Sequence, residues 1–215
     1  SEIVEPLLAD MGLVSVEQRF TITKAQRFLI SQIQGENTEV TDRQISENTT
    51  KALKDAGFRG QLRGYQEEGV KWLVERVTEL SGALLGDEMG LGKTIQTIAL
   101  LCALKARREC FRALVLMPTS LIGNWEAELE RFAPELKVHR HMGAGRDDRR
   151  DEAGSADVLL TSYGTFQRDR AFHLANHYDL AVCDEASLLR NPDSQLSRAV
   201  AKLQADRRLA LSGTP

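Results

Sequence analysis

The chain has 215 residues, 42% hydrophobic and 27% charged, an ordinary globular balance that allows one large domain or one domain with a smaller appendage. Its formal net charge is -3, which excludes nucleic-acid binding through a global polycation field and leaves only a local patch. Cys102, Cys110 and Cys183 are widely spaced and read as buried free thiols; with no signal-peptide pattern and no run of ~18 apolar residues, the expectation is a soluble, intracellular chain.

Residues 1–60 hold 9 acidic and 7 basic side chains, so they are no basic tail. TKAQRFLISQIQ (23–34) sets Phe28, Leu29 and Ile33 at helical spacing, and DRQISENTTKALKDAGF (42–58) predicts a second helix stopped at Gly57. The expectation is a small helical appendage over 1–60, followed by a larger domain over 61–215.

From residue 82 the chain alternates. Apolar runs at 82–86, 112–117, 157–162, 178–184 and 207–212 predict buried strands, and LKVHRHM (136–142) a further one. Segments 94–108, 120–132 and 194–205 have helical periodicity. Short apolar runs alternating with helices predict βαβ units: an α/β fold with a mostly parallel sheet and helices on both faces.

DEMGLGKT (87–94) lies between a predicted strand and a predicted helix. It ends in Gly-Lys-Thr, yet the strict phosphate-loop pattern wants Gly where this chain has Asp87. Gly90 and Gly92 allow φ > 0 and a close backbone approach, so successive N–H groups and the helix N-terminus can face an anion. Lys93 can then reach β/γ phosphates, and the Thr94 hydroxyl can serve Mg²⁺. The competing reading is a chance glycine turn before a helix. A nucleotide loop needs an acidic partner at another strand end, and LAVCDEAS (180–187) supplies Asp184 and Glu185. Asp184 would hold Mg²⁺ through water, and Glu185 would polarise the attacking water. The alternative is an acidic helix cap. His173 and His177 are spaced i,i+4 but lack the glutamate of a H-E-x-x-H zinc site, and read as a solvated helix face.

DEMGLGKT, DEAS and SGTP (212–215) together resemble the ATPase motor of superfamily 2 helicases, and within it the Swi/Snf family of DNA translocases. In that family the loop usually has this form, so the resemblance makes Asp87 a family mark. It covers 61–215 and implies the first RecA-like P-loop lobe of a motor that binds ATP and Mg²⁺ and moves on double-stranded DNA without separating strands. It also implies a second RecA-like lobe whose arginine completes the site, so that the isolated fragment would be inactive. LRGYQEEGVKWL (62–73) resembles the adenine-reading segment, with Gln66 able to pair an adenine edge. The same stretch also reads as an amphipathic helix. LVLMPTSLIGNWEAEL (114–129) resembles a segment along one DNA strand, where Ser120 would meet phosphate without reading bases; Trp125 reads as core rather than a stacking platform. TSYGTF (161–166) resembles the next DNA-contact motif, with Thr161 and Ser162 as phosphate donors or as local turn-bonding groups. Ser187 departs from the family's usual Gln or His and is shorter, so the coupling carried by that residue is not implied here, whereas Mg²⁺ binding is. The alternatives are another superfamily 2 helicase or restriction-type motor, and a nucleotide-binding scaffold without turnover. ADRRLALSGTP (205–215) has a bacterial character, which sets the expected location at the bacterial nucleoid rather than the nucleus.

Overall fold

The structure is a computed structural model that describes residues 50–108 and 110–213. Helix α1 (Gly64–Glu79) leads into strand β1 (Gly82–Leu85) and helix α2 (Lys93–Lys105). Strand β2 (Ala113–Met117), a 3-10 turn (Thr119–Leu121) and helix α3 (Ile122–Phe132) follow. Next come β3 (Val138–Arg140), α4 (Arg150–Ser155), β4 (Val158–Ser162), α5 (Tyr163–Arg168) and α6 (Arg170–Leu174). The order ends β5 (His177–Tyr178), β6 (Leu180–Cys183), α7 (Gln195–Ala201), β7 (Gln204–Ala205) and β8 (Arg208–Leu211).

Six strands form one sheet in the order β1-β8-β6-β2-β4-β3, and every pairing in it is parallel. Burial on both faces explains the unbroken apolar runs. Side chains alternate across the pleat: Val115 and Met117 join one core with α1, α2 and α3, while Leu114 and Leu116 join a second with α5 and α7. Each such Val or Leu contributes about 1.5–3 kcal/mol by leaving water. The β1-to-β2 connection skips two places that β8 and β6 later fill, so the carboxyl ends of β1, β8 and β6 emerge side by side. A crevice at strand carboxyl ends beside such a switch is where open α/β sheets hold ligands.

All six sheet strands fall where the apolar runs place them. The run 178–184 is broken, however, because Asp179 turns its carboxylate back to accept from the Arg112 N–H (2.7 Å) and from the Arg108 guanidinium. The helix expected over 194–205 stops at Ala201, since Gln204 and Ala205 pair with β5 in a separate two-stranded sheet. Helices α4 and α5 were not anticipated; each has 6 residues, too short for a periodic pattern, and α6, with 5, ends before His177. Cys102 and Cys183 are buried as expected, whereas Cys110 is exposed.

Residues 50–55 are helical and Gly57 has φ +85°, the expected stop. Leu53 and Phe58 belong to the same core as α1 and α2, and the Arg59 N–H donates to the Phe132 carbonyl (2.7 Å). Residues 53–59 thus pack onto the larger domain. The segment 23–34 lies outside the described residues.

Candidate nucleotide site

Loop 86–92 joins β1 to α2. Gly90 and Gly92 both take positive φ (84° and 81°), and Gly92 caps α2 in the left-handed region. A Cβ on Gly90 would meet nothing within 4 Å, so this stretch of backbone faces open space. A Cβ on Gly92 would lie 2.4 Å from Gln66 Nε2, so only glycine fits there. The Lys93 ammonium bends back over the loop and donates to the carbonyls of Asp87 (2.7 Å) and Glu88 (3.2 Å). These neutral acceptors leave its charge uncancelled at the mouth of the loop. The Thr94 hydroxyl makes no hydrogen bond among the described residues.

The loop is braced from beneath. Asp87 accepts from Gln96 Nε2 (3.1 Å), which also donates to the Gly92 carbonyl (3.3 Å). Gly69 permits this, because a Cβ there would sit 2.0 Å from Gln96 Oε1. Gln66 reaches back as the N3 residue of α1: its Oε1 accepts from the Arg63 N–H (2.9 Å) and its Nε2 donates to the Leu91 carbonyl (3.1 Å). It is 7% exposed, so its amide is engaged in holding the loop. Tyr65 Oη donates to the same carbonyl (3.3 Å).

Asp184 stands just past β6, where its N–H donates to Leu116 O (2.8 Å) and prolongs the ladder. β6 is two strands from β1, about 10 Å at the usual spacing. The Asp184 carboxylate is nearly buried; Oδ2 accepts from Trp125 Nε1 (2.8 Å) and Oδ1 from the Glu185 N–H (2.8 Å). Glu185 takes φ +49°, uncommon for a residue with a side chain, and turns the chain sharply into the 3-10 segment Ala186–Leu189. Beyond β8, between the two, a Cβ on Gly213 would lie 3.0 Å from Met89 Cγ and 3.8 Å from Lys93 Nζ. The start of SGTP thus touches the loop itself.

The three residues expected to meet DNA are placed differently. Ser120 is exposed on the 3-10 turn before α3. Thr161 has no exposed surface, and its hydroxyl donates to the His141 carbonyl (3.0 Å). Ser162 caps α5, accepting from the Thr165 N–H (3.1 Å). Of the two readings, Ser162 makes the local turn bond, whereas Thr161 makes neither: its hydroxyl bonds to a carbonyl 20 residues away, across the strands. His173 is also corrected: it is fully buried in α6 against Tyr178 Oη (3.2 Å), while His177 is exposed on β5 beside Asp206 (2.8 Å).

Residues 65–215 match the SNF2-related domain. The chain belongs to this family. It is 43% identical over 171 residues to chromodomain-helicase-DNA-binding protein 1-like of Mus musculus, covering 76% of this chain and 19% of that protein. To YwqA of Bacillus subtilis it is 40% identical over 174 residues, covering 79% and 19%. To helicase SWR1 of Saccharomyces cerevisiae it is 37% identical over 164 residues, covering 74% and 11%. The Sulfolobus solfataricus SWI2/SNF2 ATPase core in complex with dsDNA superposes with a TM-score of 0.69 at 36% identity, covering 74% of this chain and 33% of that one. The chain therefore spans about a fifth or less of these curated relatives and a third of that solved core. The Swi/Snf resemblance and the RecA-like fold are borne out.

Several residues of this SNF2-related lobe were missed by sequence reading. Gln96 on the following helix and Gly69 on α1 brace the loop, and their residue types do not mark them for it. Gly213 lies in the SGTP stretch, but its closeness to the loop shows only in the fold. Trp125 is core, as expected, but its indole N–H ends on Asp184. Tyr163 likewise donates to the Asp184 carbonyl (2.7 Å), and burial pushes its phenol well above the usual tyrosine range.

Proposed function

We propose that this chain is the first, ATP-binding lobe of a Swi/Snf-type motor that hydrolyses ATP to move along double-stranded DNA without separating its strands. The observation that carries the reading is Asp184. It is a nearly buried carboxylate held only by neutral donors, at the strand end adjoining the Lys93 loop and Gly213. A buried charged carboxylate is paired or coordinates a metal, and this one has no cationic partner among the described residues. The residues fit ATP·Mg²⁺: open N–H groups around Gly90, an ammonium at the loop mouth, a free Thr94 hydroxyl, and lone pairs remaining on Asp184. Lys93 would bind the β/γ phosphates, and Thr94 and Asp184 would hold Mg²⁺. The ion would neutralise charge on the phosphates. Asp87 fixes the loop through Gln96, and Glu185 takes the role of orienting and polarising the attacking water. An adenine edge is the proposed ligand of the second Gln66 Nε2 hydrogen and the free Oε1 lone pair.

A second lobe is the proposed partner across the site. Met89 (82% exposed) and Leu188 (55% exposed) flank it as large apolar side chains facing solvent. DNA contact is proposed for Ser120 and the neighbouring Thr119, both exposed on one turn. Thr161 and Ser162 would shape that contact from beneath. Among the described residues, no helix is long and apolar enough to cross a membrane. The run 205–215 supports a bacterial, nucleoid-associated parent protein.

The test is phosphate release by the parent protein with duplex DNA, single-stranded DNA, RNA or no nucleic acid, with Lys93→Ala as the blank. Stimulation by duplex DNA is expected. Stimulation by RNA alone would indicate another superfamily 2 motor, and turnover no higher than the blank in every arm would indicate a scaffold.

A further inference from the structure

We infer that Trp125 is a positioning residue for both carboxylates of the site, tying them to the exposed turn that carries Ser120. The inference rests on the functional reading above and deepens it. The main chain of Asp184 is already held on two sides, by its N–H on Leu116 O (2.8 Å) and by Tyr163 Oη on its carbonyl (2.7 Å). What these bonds leave free is the direction of the carboxylate. Trp125 Nε1 fixes one oxygen, and the other then meets the Glu185 N–H, each at 2.8 Å. The indole N–H is the only donor that a tryptophan side chain has, and both partners are buried, so each satisfies the other where water cannot.

The consequence extends to Glu185. Its positive φ of 49° puts its backbone in a sparsely populated region, and its N–H is held there by the carboxylate that Trp125 orients. Releasing the indole donor frees Asp184 to rotate, and Glu185 loses the bond that fixes its peptide.

Trp125 is also mechanically joined to the surface. It lies on the first turn of α3, directly after the Thr119–Leu121 turn, and it has no exposed surface. A close-packed core does not let a large ring reorient alone. Displacement of the exposed turn by a bound phosphate backbone therefore shifts the indole, and with it the carboxylate of Asp184. The Ser187 hydroxyl makes no hydrogen bond among the described residues, so it offers no rival connection from this segment.

The test uses the full-length parent protein and three variants. Trp125→Phe removes the donor and some volume. Replacement of Trp125 by β-(3-benzothienyl)alanine removes the donor and keeps the shape. Leu129→Ala cuts a cavity in the same fully buried helix face without touching Asp184. Calorimetric ATP titrations at stepped Mg²⁺ concentrations give the Mg²⁺ half-saturation, and phosphate release gives the duplex-stimulated rate. Loss of an orienting partner of a metal-holding group typically costs 10- to 100-fold in metal affinity or activity. Both Trp125 variants are expected to raise the Mg²⁺ half-saturation at least about 10-fold and to lower the stimulated rate within that range. Duplex affinity should be unchanged. Leu129→Ala should lower the melting temperature yet leave the Mg²⁺ half-saturation alone. An unchanged Mg²⁺ half-saturation in the benzothienyl protein, or an equal shift in Leu129→Ala, would reduce Trp125 to packing. If the unmodified protein shows no duplex stimulation, the functional reading falls, and the Mg²⁺ titrations still decide whether Trp125 sets the carboxylate.

Discussion

Two buried aspartates of this lobe have opposite surroundings. Asp169 lies against a cation: Arg146 grips both of its oxygens, and His141 Nε2 sits 2.9 Å from one of them. Arg146 first, then His141, hold its carboxyl down at about 2, against the burial that raises it. Asp184 is equally buried but touches only an indole and a peptide N–H, and it has no ion pair among the described residues. Neutral donors orient a carboxylate without cancelling its charge. Asp169 is compensated within the fold, whereas Asp184 is oriented without a counter-charge among the described residues, which is why it is proposed to take a cation. Burial alone therefore does not separate the two aspartates; the charge of their partners does.

That contrast can be broken or sharpened by experiment. The largest effect belongs to Glu185→Gln in the parent protein. The amide keeps the shape but cannot polarise water, so kcat for ATP should fall by roughly 10²–10⁴ while ATP still binds. Parent-like turnover would move the base elsewhere.

Lys93→Ala should weaken ATP binding by about 10- to 100-fold, the worth of one charge-assisted hydrogen bond, without lowering the melting temperature. The fold should tolerate it, because Lys93 bonds only to carbonyls of its own loop. Calorimetry alongside thermal melting checks this, and undiminished affinity would remove the phosphate-loop assignment.

At the structural site the signs reverse. Asp169→Asn should cost about 1–3 kcal/mol by stranding Arg146 and His141, read in a urea titration, with ATP affinity untouched. A loss of ATP binding there would erase the distinction between the two aspartates.

A further effect is a pH dependence. Burial lowers the His173 pKa from 6.5 to about 3, and the neighbouring charges of His141 and Arg150 add to it. A depressed folded pKa means that the unfolded chain takes the proton first. The His173 contribution to stability is therefore complete above pH 6.5 and is lost as pH falls toward 3, by at most about 1.4 kcal/mol per pH unit. Urea midpoints from pH 7 to 4 should fall less steeply in His173→Gln. Equal slopes would mean that His173 is not held neutral.

The legible parts of this lobe share a physical origin. Strands buried on both faces must be apolar throughout, so 113–117 and 158–162 announce themselves. The segments carrying Lys93, Thr94, Asp184 and Glu185 were legible as strand-end loops, and the sheet brings their strands within two places of each other; their phosphate and Mg²⁺ roles are the proposal made above. What stayed hidden depends on contacts across the fold. Gln96 braces Asp87 only because Gly69 on another helix leaves room, and Trp125 meets Asp184 across 59 positions of chain. Thr161 and Ser162 show the converse: their residue types suit phosphate, but at the end of a central strand their hydroxyls turn inward. His173 was misread because the i,i+4 spacing assumed one continuous helix, and the chain changes element at Ala175.

The central claim is that Asp184 holds the cation that ATP brings. The direct measurement is ATP binding by calorimetry, with and without Mg²⁺, for the unmodified protein, Asp184→Asn and Asp169→Asn. The account predicts that Mg²⁺ strengthens binding in the unmodified protein and in Asp169→Asn, and that Asp184→Asn largely loses this Mg²⁺ dependence. A full Mg²⁺ effect in Asp184→Asn would contradict it.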